Sequence, residues 1–178
     1  MEYNHIENKK PIYRVKAPLK EHLRQYSRLD DLPISYEQLM DYDELYPLED
    51  DNGKKTLWHM VMYNQENLQL LSKALVEVYQ KLVSGGDNNP YLRIDRIDFC
   101  SFGNSKPFRV RVINELNLNH DYFYIKKADA SRIYGLELEE IFSPDRVNYI
   151  VDKQTLVEEH VVGIPVDEFI LKHSDEQI

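Results

Sequence analysis

This chain is poor in the residues that staple, anchor or phosphate-track a protein. It has 178 residues and one cysteine, Cys100. No disulfide within the chain can form, and a zinc ribbon is excluded. No apolar run reaches the length of a bilayer span, so no membrane partner is expected. The first residues, Met1 to Lys16, hold no apolar signal core, and a cytoplasmic location is the expectation. Positive charge is in the minority: 22 Lys and Arg against 31 Asp and Glu give a net charge of −9. A protein that tracks nucleic-acid phosphates carries the opposite balance, so no nucleic-acid partner is expected. Glycine is scarce, at six residues. That leaves little material for a loop built from several glycines.

Apolar residues make up 42% and aromatics 11% of the chain, enough for a folded core. Thirteen tyrosines suit half-buried strand faces. The six histidines show no zinc-protease spacing, and Glu49 to Gly53 lacks the alternating ligands and closing Glu of a calcium loop. It is read as a solvated acidic turn, and Cys100 as a small buried hydrophobe.

The pattern divides near residue 90. Before it, helices are expected at Leu19 to Leu29 and Ile34 to Met40, the second opened by a Ser35–Gln38 capping box. The stretch 34–55 otherwise reads as turn-rich and acidic. The clearest helix runs from an Asn64 cap to Gly85-Gly86, with Leu68, Leu71, Leu75, Val78, Tyr79 and Leu82 in one stripe. Trp58, Met60 and Met62 are expected in the same core. After Tyr91 the period becomes two, with a phase slip near Arg96 that predicts a bulge. Phe108, Val110 and Val112 then define one face of a strand, with Arg109 and Arg111 on the other.

Tyr122 to Lys127 is a β-rich run closing on two lysines. A helix follows over Ala130 to Phe142, then strands at Val147 to Val151 and Thr155 to Val161. On a helical wheel Ile133, Tyr134, Leu138 and Ile141 share an arc, and Glu137 falls inside it. An inward carboxylate needs a charged partner. The lysine pair is nearest in sequence, so a Lys126–Glu137 ion pair is predicted, with Lys127 competing. Without a ligand, such a pair is also an ordinary structural salt bridge. The expected fold is α+β: an N-terminal helical section, then a mainly antiparallel sheet of about five strands with one helix packed across it.

From about Tyr91 to Phe169, this order resembles the small, ATP-binding lobe of protein-kinase-like and atypical phosphotransferase folds. On that resemblance residues 1–90 are an N-terminal helical extension and 91–178 a small-lobe-like unit. The resemblance implies that Lys126 meets the α- and β-phosphates of ATP while Glu137 holds it. It implies that the turn bearing Gly103, Asn104 and Ser105 covers the phosphates through backbone N–H groups, and that a hinge at Glu159, His160 and Val161 seats adenine. The phosphate loop has one glycine where such kinases have three, and no catalytic or metal-binding aspartate motif follows Val161. No catalytic residue is therefore assigned, and the chain alone is expected to be inactive. Phosphoryl transfer, and any Mg2+ ligands, would come from a carboxy-terminal lobe or a partner chain. The alternative is a non-enzymatic intracellular protein-interaction domain with a structural Lys–Glu pair.

Overall fold

The computed structural model describes residues 10–102, 104–164, 166, 169 and 170. Seven strands form one antiparallel sheet: β1 (Glu44–Glu49), β2 (Lys55–Met62), β3 (Leu92–Phe99), β4 (Phe108–Asn114), β5 (His120–Lys127), β6 (Tyr149–Asp152) and β7 (Thr155–Glu159). Their order is β1-β2-β3-β4-β5-β7-β6, so the last strand enters between β5 and β6. Among the described residues, four named helices flank the sheet: α1 (Ala17–Gln25), α2 (Tyr36–Leu39), α3 (Gln65–Ser84) and α4 (Ala130–Phe142). The α+β class and the antiparallel sheet with a packed helix agree with expectation.

Two strands precede residue 90, where no strand was expected: β1 lies in the stretch read as turns, and β2 begins at its end. β1 and β2 pair from Glu44↔Met62 to Glu49↔Lys55, around the turn at Asp50 to Gly53. The Asp50 carboxylate accepts from the N–H of Asn52 and of Lys54, and Gly53 takes the positive φ of 74° that the turn requires. β2 then joins β3 through His59↔Phe99 and Met60↔Asp98. The sheet therefore continues across residue 90.

Local signals elsewhere hold. The Asn64 side chain caps α3 by accepting from the Asn67 N–H, and Gly85 ends it in the left-handed conformation at φ 65°. The Ser35–Gln38 capping box is complete on both sides. The β3–β4 register shifts between Ile94 and Arg96, where the bulge was predicted.

Alternation along the strands separates the two faces. Ile97, Phe99, Phe108, Val110, Val112, Phe123, Ile125 and Val157 pack against Leu75, Val78 and Leu82 of α3. On the other face Leu156 and Val151 pack with Ile133 and Leu136 of α4 and Leu19 and Leu23 of α1. α1 and α4 thus cover the β7–β6 end of that second face.

Trp58 and Met62 do not enter the α3 core. Val61 and Tyr63 do, and by alternation Trp58, Met60 and Met62 belong to the opposite face. The wheel arc of α4 also faces the wrong way: Ile133 is buried with Ala130 and Leu136, while Tyr134, Leu138 and Ile141 are exposed. Residues 134, 138 and 141 and residues 133, 136 and 137 lie on adjacent sides of a helix, and α1, remote in sequence, decides which side turns inward.

Candidate ligand-binding face

The face opposite α3 begins with a buried acid. Asp98 on β3 is fully buried and lies between two arginines: Arg109 Nη2 at 2.7 Å and Arg96 Nε at 2.7 Å. Arg109, pinned there, lies over the Trp58 ring at 4.4 Å and over the Tyr122 ring at 5.3 Å. A guanidinium held between aromatic faces gains from the ring quadrupoles while its charge is met by Asp98. Tyr124 continues the layer, 6.2 Å from Trp58 and 5.8 Å from His160 between ring centres. Its hydroxyl is hydrogen-bonded to His160 Nδ1 at 3.1 Å. Burial raises the Tyr124 pKa above the usual phenol value, with Arg109 opposing and Tyr122 and Glu158 adding to the rise.

Lys126 lies next along the strand, its ammonium 5.5 Å from the Tyr124 ring centre. The predicted Lys126–Glu137 pair is not formed. Lys126 donates to Glu158 on β7 at 2.7 Å, and Arg132 from the first turn of α4 grips the same carboxylate at 2.9 and 2.8 Å. Glu158 is 3% exposed. Burial alone would raise its pKa. The hydrogen bond from Arg132 and the charge and hydrogen bond of Lys126 outweigh that and hold it below the ordinary carboxylate value.

Glu137 does face inward, but toward α1. Arg28 Nη1 donates to its two oxygens at 2.6 and 2.8 Å, His22 Nε2 donates at 2.6 Å, and the Tyr149 hydroxyl donates as well. Burial pushes its pKa up, and the donors Tyr149 and His22 with the Arg28 charge bring it below the usual range. The reason for the exchange of partners is distance along the helix. Glu137 stands seven residues into α4, about 10 Å from its start at 1.5 Å per residue. Arg132, in the first turn, is level with the end of β5. Lys127 does not reach Glu137 either; it lines a separate cavity with Arg14, Lys20 and Lys153.

The remaining expected site residues fall at two places. Phe108 pairs with Ile125, so the turn carrying Asn104 and Ser105 lies at the Lys126 end of β5. Gly103 lies outside the described residues. The Lys106 carbonyl in this turn accepts from the Tyr36 hydroxyl at 2.9 Å, which ties the turn to α2. At the end of β7, Glu159 is engaged by Asn148, the residue before β6: its N–H donates to the Asn148 carbonyl at 3.0 Å, and its carboxylate accepts from Asn148 at 2.7 and 2.8 Å. His160 and Val161 follow, and Val161 is exposed. Among the described residues their backbone groups make no hydrogen bond to another backbone group.

Sequence reasoning missed Glu158, Arg132, Asp98 and Trp58. The signal for Glu158 was its place two residues after the buried Leu156 on one strand face. Among the described residues, no group of three or more His, Cys, Asp or Glu side chains is placed to hold a metal ion. No helix among them is long and apolar enough to cross a membrane. Comparison with known protein families, curated proteins and solved structures finds no match to this chain.

Proposed function

We propose that this chain is the nucleotide-binding lobe of an atypical kinase or phosphotransferase, completed by a second lobe that carries the catalytic and metal-binding groups. One observation carries the reading. Three antiparallel strands, a helix and two further strands follow in order, and the lysine closing the third strand is held by a buried carboxylate on a sheet face that α4 covers only at one end. In this reading Lys126 meets phosphate oxygens of ATP, and Glu158 with Arg132 takes the holding role first expected of Glu137. Asn104 and Ser105 supply backbone N–H groups above the phosphates, and His160 and Val161 offer open backbone groups to the adenine edge. The work done is electrostatic positioning.

The test is a titration of the chain with a fluorescent ATP analogue, with and without Mg2+, beside Lys126→Met. Wild type should bind saturably. K126M should bind at least about tenfold more weakly, a difference of about 1.4 kcal/mol. It should remain folded, because Arg132 still neutralises Glu158. Absence of saturable binding by wild type, or equal binding by K126M, would defeat the reading.

A second reading, an intracellular protein-interaction domain, is favoured by a different feature. Tyr134, Leu138, Ile141 and Phe142 form an exposed apolar ridge along α4, with Phe142 at 80% exposure. Under the first reading the second lobe covers this ridge. Under the second a protein partner does, and the Lys126–Glu158 pair is only structural. Charging the ridge with Leu138→Glu and Ile141→Glu should leave nucleotide affinity unchanged under the first reading. Nucleotide binding separates the two: under the interaction domain neither wild type nor K126M binds ATP, and the Lys126–Glu158 pair contributes only to the fold.

A further inference from the structure

A cavity of about 410 Å³ lies beside the end of β5, away from the aromatic face. Four cationic side chains line it, each from a different segment: Arg14 before α1, Lys20 on α1, Lys127 at the end of β5 and Lys153 in the β6–β7 turn. Among the described residues, no carboxylate lines it. Among the described residues, Arg14, Lys20 and Lys127 make no side-chain hydrogen bond or ion pair, and Lys153 has only Asp152, at 3.8 Å. In a chain of net charge −9, four converging cations are not a consequence of composition. Their mutual repulsion is relieved by an anion.

The walls are fixed. The Tyr13 N–H donates to the Asp129 carboxylate at 3.0 Å, and the Ala130 N–H donates to the Tyr13 carbonyl at 2.9 Å, so the segment before α1 is tied to the start of α4. The Ala128 N–H donates to the Gln154 carbonyl at 2.7 Å and closes the opposite wall. Asp129, next to the lining residue Ala128 in the chain, is occupied by Tyr13 and Ser131. α1 starts beside the cavity with no acidic residue in its first turn and no side-chain cap, which adds positive potential. Lys20 and Lys153 also border a neighbouring cleft, but there Asp30, Asp31 and Asp152 balance the charge. Among the described residues the first cavity has no such balance, and its volume is that of a small-molecule site.

We propose that this cavity binds a small molecule carrying two or more phosphoryl groups. Lys20 and Lys127, half-buried, grip one phosphoryl group as point charges, and the Arg14 guanidinium spans oxygens of the other. Lys153, at the rim, draws the anion in. The site is separate from Lys126 and does not rest on the nucleotide reading.

The experiment is calorimetric titration of the full chain with inorganic pyrophosphate, with citrate as a non-phosphate anion of high charge. Saturable one-to-one binding is expected. The pair Lys20→Gln and Lys127→Gln should weaken it at least about tenfold. A distant control, Lys73→Gln on α3, should leave it unchanged. Should the double variant fail to fold, amide resonances of Ala128 and Gln154 in the wild-type chain supply the second readout, and they should shift as pyrophosphate saturates. The proposal is overturned by an absence of saturable binding, by unmoved Ala128 and Gln154 resonances, by equal loss in K73Q, or by citrate binding as tightly as pyrophosphate.

Discussion

Replacing Glu158 by Gln keeps the side-chain shape and removes one buried negative charge. Two cations then lose their counter-ion, but not equally. The Lys126 side chain is 18% exposed and cannot easily turn to water, while that of Arg132 is 47% exposed and can. Removing one partner of a buried pair costs about 3–5 kcal/mol, and the partial exposure of both cations places this case at about 2–3 kcal/mol. For a chain of this size, each kcal/mol lowers the melting temperature by about 2–4 °C, so E158Q should melt about 4–12 °C below wild type. The effect must also depend on pH in a defined direction. The folded pKa of Glu158 lies below its ordinary value of 4.5. Its charge therefore contributes fully above that value, and the contribution fades as pH falls through the lower, folded pKa. The gap between wild type and E158Q should be widest near neutrality and should close in acid. Urea unfolding of both proteins at neutral pH and below the folded pKa measures it. A neutral-pH difference under about 0.5 kcal/mol, or a gap that persists in acid, would refute the assignment of Glu158 as the buried anchor.

Three further outcomes are expected. A double-mutant cycle on Arg28→Met and Glu137→Gln should return a coupling of about 1.5–3 kcal/mol in urea unfolding, because Arg28 meets both carboxylate oxygens; a coupling near zero would remove the α1–α4 tether. Trp58 is the single tryptophan and lies against Arg109 and Tyr124, so its fluorescence should change saturably with ATP, and an unchanged spectrum at saturating nucleotide would place the ligand elsewhere. Phe108 is fully buried against Tyr36 and Phe99, at 5.6 and 4.8 Å between ring centres, and Phe108→Ala should cost about 3–5 kcal/mol in denaturant unfolding; less than about 1.5 would mean that the ring cluster is not central to the core.

What was legible in the sequence was local. α3 announces itself through an Asn cap, a stripe of leucines and a Gly stop, all short-range chemistry. The β3 bulge shows as a slip of one residue in the alternation. β1 was not legible because it is an edge strand. It carries Pro47, which only an edge tolerates, and neither of its faces is buried enough to write an apolar period of two. β2 is apolar on both faces, since Val61 meets the α3 core and Trp58 meets Arg109, so its alternation is blurred. The α4 wheel holds apolar residues on more than one side. Nothing local says that α1 will claim the side of Ile133 and Leu136 and leave Tyr134, Leu138 and Ile141 in water.

The ion pair shows where sequence distance misleads. A carboxylate was correctly expected for the strand-end lysine, and a cation for the inward helix acid, but each found its partner through tertiary neighbours. Antiparallel pairing of β5 with β7 sets Lys126 opposite Leu156, which puts Glu158 two residues along on the same face. Such diagonal neighbours lie about 7–8 Å apart at the backbone, within reach of a lysine. Glu137, about 10 Å along its helix, is better placed for an arginine from a different segment. The strand register decides the pairing, and it cannot be derived from Tyr122 to Glu137 alone: it requires knowing that the last strand enters the sheet between β5 and β6. Once that order is fixed, Lys126 has one acid in diagonal reach, and the identity of the holding carboxylate follows from strand geometry instead of from the nearest acid on the next helix.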